Sequence, residues 1–193
     1  MPLYIKIFEF IDRDFHYKRI VKAATEGKVS EKDRVLAIFR WCVENIKHQP
    51  ADLPVVDDHP LNIIIRGYGV EDQLEDVFTI LCTYNGIEAF YKTFPIDPEN
   101  SYSISFAKID GKWYTFSVYA GAYPSRNGEL VPIGEVAKDP DLLKGISSNM
   151  PSFRVDAFLE GIKSVEFKAT SMRVKGQNPM GRLIYYLKKL VKK

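Results

Sequence analysis

The 193-residue chain has few cysteines and histidines, and no long apolar run. With only Cys42 and Cys82, a disulfide framework is not suggested, and a reducing cytoplasm is the expected compartment. No stretch approaches the roughly 18 uninterrupted apolar residues that span a bilayer. The N-terminus alternates and carries Lys6 and Glu9, unlike the basic start and apolar core of a signal peptide. The three histidines are His16, His48 and His59, and no zinc-type spacing links them to cysteines. Asp57-Asp58-His59 contains ligand-type residues, but adjacent residues rarely converge on one ion. A polar loop ahead of Pro60 is the expectation, with no metal and no cofactor. Gly67-x-Gly69 is too short for a dinucleotide fingerprint.

What the chain does have is an ordinary globular balance, 46% hydrophobic and 27% charged, enough for one domain with a proper core. Its net charge is +2. Residues 182–193 carry Arg182, Lys188, Lys189, Lys192 and Lys193 with no acid, which leaves residues 1–181 at about −3. A specific nucleic-acid surface is therefore not expected.

Residues 3–10 read as a strand or extended entry, and a helix is expected over 14–26 with Gly27 as its cap. Ser30-Glu31-Lys32-Asp33 resembles a capping box opening a helix to about Lys47, with Leu36, Phe39, Val43 and Ile46 at helical spacing. Gln49-Pro50 and Pro54 begin a loop running past Pro60. Val70, Leu74, Val77, Phe78 and Leu81 form the apolar face of a third helix, stopped by Asn85-Gly86. A strand over 87–94 follows, then a hairpin of 102–109 and 112–118 around Asp110-Gly111. Short helices and turns begin at Gly134. Residues 165–175 read as extended, and a final helix is expected over 181–193. The order predicts an α+β domain spanning 1–177, with N-terminal helices packed on an antiparallel sheet, and a basic amphipathic C-terminal helix, 178–193.

Three blocks between residues 31 and 120 carry a resemblance. Gly67-Tyr68-Gly69-Val70-Glu71-Asp72-Gln73 opens a helix and is similar to the nucleophile motif Gly-x-Gly-x-Cys-x-(Asp/Gln) of the transglutaminase-like superfamily, which has a papain-like cysteine-proteinase fold. Trp41-Cys42-Val43-Glu44-Asn45-Ile46 resembles the helix that precedes that motif, and Asn85-Gly86-Ile87-Glu88-Ala89 the strand that leaves it. Tyr102–Trp113 resembles the hairpin whose first strand begins with the family's histidine.

The family's mechanism needs a thiolate at a helix N-terminus, a histidine to shuttle its proton and an aspartate to orient the imidazole. The resemblance places Glu71 at the nucleophile position, Tyr102 at the histidine and Ser117 at the aspartate. All three histidines precede Glu71, so the Cys-His-Asp order is not met within this sequence. Cys82 lies eleven residues further along the helix, about 16 Å away at 1.5 Å per residue, too far to substitute. Both cysteines are expected to be core residues.

Glu71 reads structurally as a carboxylate favoured at the first turn of a helix, and functionally as an acid or base with Asp72 and Glu75 nearby. The sequence thus implies an inactive transglutaminase-like protein, a pseudoenzyme. Its remnant cleft, with Tyr68, Glu71, Asp72 and Tyr102 as candidate binding residues, would take a peptide, protein or saccharide. One alternative is a hydrolase or transferase with Glu71 as general acid or base. Another is a peripheral membrane or assembly subunit whose basic segment 182–193 meets an anionic membrane surface or a partner protein. There Leu183, Ile184, Leu187, Leu190 and Val191 share one helical face.

Overall fold

A computed structural model describes residues 3–56, 59–97 and 100–167. The chain opens with a helix, α1 (Leu3–Ala24), where alternation had suggested an extended entry over 3–10. No glycine or proline lies between residues 3 and 26, so nothing separates that entry from the helix behind it. Its Tyr17 and Val21 enter the core, while Phe8, Ile11 and Phe15 remain exposed.

Helix α2 (Glu31–Asn45) is capped as expected, Ser30 Oγ accepting from the Asp33 N–H at 3.0 Å. Strand β1 (Lys47–His48) follows. Within the stretch expected to be loop, a short helix, α3 (Pro60–Arg66), begins with proline at its first position, where no N–H is needed. Strand β2 (Tyr68–Gly69) pairs parallel with β1, tying the exit of α2 to the start of α4 (Glu71–Tyr84).

Three antiparallel strands follow: β3 (Ala89–Pro95), β4 (Ser101–Ile109) and β5 (Lys112–Phe116), in that order across the sheet. Asp110 and Gly111 both have positive φ, 48° and 80°, the geometry of a two-residue turn that keeps Ile109 opposite Lys112. A small hairpin, β6 (Ser125–Arg126) and β7 (Glu129–Leu130), precedes α5 (Ile133–Val136). A 3-10 turn at Pro140–Leu143 leads into α6 (Lys144–Asn149), and α7 (Val155–Lys163) comes last. Residues 165–167 have no regular structure. The rest of the expected 165–175 strand and the expected C-terminal helix lie outside the described residues.

The sheet separates two apolar layers. On one face α1, α2 and α4 pack around Val77, Phe78, Leu81 and Phe116, with Cys42 and Cys82 fully buried among them. On the other, α5, α6 and α7 cover Phe94, Tyr102, Ile104 and Phe106. Alternation along β4 produces this division: Ala107 joins the first layer and Ser105 bonds to α4, while Tyr102, Ile104 and Phe106 join the second. Each fully buried aromatic contributes roughly 1.5–3 kcal/mol. Among the described residues, no helix is long and apolar enough to cross a membrane.

Candidate functional site

The site is built at the N-terminus of α4, and both glycines of the motif serve its approach. Gly67 ends α3 at φ 76°, a conformation L side chains rarely adopt. At Gly69 an added Cβ would stand 3.0 Å from Gln73 Oε1 and 3.1 Å from both Ile63 and Leu74, so any side chain there would push these three neighbours aside by a few tenths of an ångström. Gln73 then fixes the entry. Its Oε1 accepts from the Val70 N–H at 3.3 Å and from Arg66 Nη2 at 3.1 Å, and its Nε2 donates to Val56 O at 2.6 Å. The last bond holds the 49–56 loop against the start of α4.

Between that loop and α4 lies a groove of about 350 Å³. Its lining includes Gln49, Pro50, Leu53, Val55, Val70, Glu71 and Tyr119. Among the described residues, Glu71 is the only charged one in the lining, and no thiol or imidazole lines it. Its Oε1 accepts the Ser103 N–H, and its Oε2 accepts from Ser152 Oγ at 3.4 Å. Burial is the main cause that raises its pKa, to about 7 from the usual 4.5. The Ser103 and Ser152 bonds oppose that rise, and the charge of Asp72 adds to it.

One turn along α4, Glu75 is fully buried. Its Oε1 accepts the Val118 and Tyr119 N–H groups at 2.8 and 3.2 Å, with Ser117 Oγ at 3.5 Å. Ser105 Oγ donates to Oε2 at 2.6 Å. Burial pushes its pKa up to about 8 despite the bonds from Ser105, Tyr119 and Val118, and the charge of Glu71 adds to the rise. Glu75 thus anchors the turn after β5 from which Tyr119 reaches the groove. On its far side, Tyr119 stacks on His48 with ring centroids 4.0 Å apart, and His48 Nε2 lies 2.8 Å from Tyr119 O.

The three positions aligned with the family's triad do not form one constellation. Glu71 meets the backbone of Ser103, and Ser117 meets Glu75. Tyr102 turns into the aromatic layer behind the sheet, stacked on Phe94 at 5.4 Å, with its hydroxyl donating to Arg154 O at 3.3 Å. Of the candidate binding residues, only Glu71 lines the groove. Asp72 is exposed, and the Tyr68 ring lies under the Arg66 guanidinium at 5.2 Å. Burial raises the pKa of the Cys42 and Cys82 thiols, which keeps them protonated and unreactive.

Sequence reasoning passed over Gln49, Tyr119 and the anchoring role of Glu75. Glu75 had a signal: residues 71, 75, 78 and 82 follow one helical stripe, which puts an acid in line with Phe78 and Cys82. Gln49 and Tyr119 lie in loops and had none.

The family profile of the transglutaminase-like superfamily matches residues 18–122, more than half of the chain. The chain belongs to the transglutaminase-like superfamily. Its α+β architecture is that of this superfamily, with helices packed on an antiparallel sheet. Among solved structures, it is similar to an inferred cysteine protease from Cytophaga hutchinsonii, at 20% identity and TM-score 0.49, over 62% of this chain and 41% of that one. An inferred protease from Parabacteroides distasonis matches at 17% identity and TM-score 0.44, over 53% and 23% of the two chains. A TGase matches at 14% identity and TM-score 0.47, over 62% and 35%. The chain spans less than half the length of each. No curated protein matches.

Proposed function

We propose that this superfamily member is a pseudoenzyme that binds a peptide, protein or saccharide in the groove beside Glu71. One observation carries the reading: the position that holds the family's nucleophile presents a carboxylate to a groove with no thiol or imidazole among the described residues of its lining. The burial of both cysteines supports it, as does the absence of any histidine after Glu71 in the sequence. The groove's apolar walls and the Tyr119 ring suit a peptide or the face of a sugar. The test has two arms. Incubation with a glutamine donor and labelled amine, and with peptide substrates, should give no turnover, while peptide and glycan arrays should give ligands that compete at Tyr119. Turnover abolished by changing Glu71 or Cys82 overturns the reading.

The raised pKa of Glu71 favours a second reading, a hydrolase or transferase in which Glu71 is the general base. Ser152 Oγ, which donates to Glu71 Oε2 at 3.4 Å, is a hydroxyl whose proton it could take. Ester or peptide hydrolysis that disappears in Glu71→Gln and follows a pH profile rising through about 7 supports this reading. Hydrolysis unchanged in Glu71→Gln dismisses it.

A further inference from the structure

We propose that the groove takes a cationic side chain, a guanidinium or an ammonium, as part of a peptide or protein ligand. This rests on the reading that the groove binds at all, and it narrows the ligand.

Among the described residues, the groove's lining includes one formal charge, and it is negative. Each Glu71 oxygen accepts one hydrogen bond from the protein, which leaves each with room for a second. Among the described residues, no lysine or arginine pairs with it; its ionisable neighbours along α4, Asp72 and Glu75, are also acids, and from β4 the Tyr102 phenol, which interacts with it electrostatically, stays protonated because burial raises its pKa. The opposite wall brings no competing cation. Gln49 spends its amide N–H groups within its own loop, donating through Nε2 to Leu53 O and Pro54 O, both at 3.3 Å. A carboxylate with room for further hydrogen bonds, facing a lining with no described cation, calls for a positively charged N–H donor.

The walls fit the rest of such a side chain. Pro50, Leu53, Val55 and Val70 offer apolar surface to the alkyl stem that lysine and arginine carry below their charge. The Tyr119 ring adds a face on which a cation rests favourably. A neutral apolar side chain would fill the walls but leave the Glu71 carboxylate without a counter-charge. An anionic one would meet Glu71 directly.

The inference is tested by titrating the isotope-labelled protein with three capped amino-acid amides, followed through backbone amide shifts of Val55, Glu71 and Tyr119. The amides are Nα-acetyl-arginine amide, Nα-acetyl-lysine amide and the neutral Nα-acetyl-norleucine amide. Either cation, or both, should shift the three signals with at least about tenfold tighter binding than norleucine. The stronger arm identifies guanidinium or ammonium. Cation binding should weaken when pH falls from 8 to 5.5, because protonated Glu71 loses its charge, and it should be lost in Glu71→Gln. Val55 is exposed, so Val55→Glu and Val55→Lys change the charge of the rim without touching the core. The first should tighten cation binding and the second weaken it, with norleucine indifferent to both.

Equal binding of norleucine, or cation affinity blind to Glu71→Gln and to both Val55 variants, overturns the inference while leaving a binding groove intact. No shift from any amide also overturns it. The peptide and glycan arrays then decide separately whether the groove binds an uncharged ligand.

Discussion

The most informative perturbation is at Glu75 rather than Glu71. A carboxylate whose folded pKa is about 8, against an ordinary 4.5, holds its proton more tightly in the folded chain than in the unfolded one. The sign follows by linkage: its contribution to stability is greatest below pH 4.5, falls as pH rises toward 8, and is level above that. At 1.36 kcal/mol for each tenfold, the full difference is about 5 kcal/mol. Relaxation around the ionised group lowers this figure, so on the order of 2–5 kcal/mol is expected.

Glu75→Gln isolates the effect. Its carbonyl can take over the Val118 and Tyr119 N–H bonds. Its amide can donate to Ser105 Oγ, which then turns its own proton toward the Glu75 carbonyl position, 3.4 Å away. The variant should fold, and urea unfolding followed by tryptophan fluorescence from pH 4.5 to 9 should show a simple relation. The wild type loses stability relative to Glu75→Gln as pH rises. Glu75→Ala should cost about 3 kcal/mol or more near pH 4.5, because the Val118 and Tyr119 N–H groups lose their acceptor in the core, and the cost should shrink as pH rises and the wild type loses its own advantage. Wild-type and Glu75→Gln stabilities that run parallel across the range refute the reasoning.

Three further outcomes are expected. Carboxyl-carbon NMR of Glu71 should report a pKa near 7, and an ordinary exposed value would remove both the desolvated site and the general-base alternative. Gly161→Ala places a Cβ 2.5 Å from Phe94, whose ring is wedged between Tyr102 and Phe158; overpacking outweighs the helix-propensity gain, and Tm should fall by about 3–8 °C by calorimetry. If segment 182–193 meets anionic membranes, co-sedimentation with phosphatidylserine vesicles should disappear on truncation at Gly181 and weaken in salt; equal sedimentation of both forms dismisses that role.

The helix and hairpin pattern was legible because it rests on local periodicity and turn chemistry. The stripe of α4, the Ser30 cap and the Asp110-Gly111 turn all follow from spacing alone. The entry over residues 3–10 was misread because the alternation of Leu3, Ile5 and Ile7 mimics a strand. What decides is the lack of any breaker before Gly27. Helix α3 was missed because two prolines before it read as loop, although Pro60 suits a helix start. The site was legible only at Glu71. Tyr102 could be aligned with a family position, but which face of the sheet it takes depends on strand alternation relative to α4, and one residue of register reverses that. Gln49 and Tyr119 reach the groove through loop geometry, which leaves no periodic trace in the sequence.

The two glycines that open α4 bear on how such chains are recognised. Gly67 answers a backbone angle and Gly69 a close approach of Ile63 and Leu74, so neither depends on which side chain follows at position 71. Their presence therefore reports the shape of the turn into α4, while the letter two places later has to be read separately for chemistry.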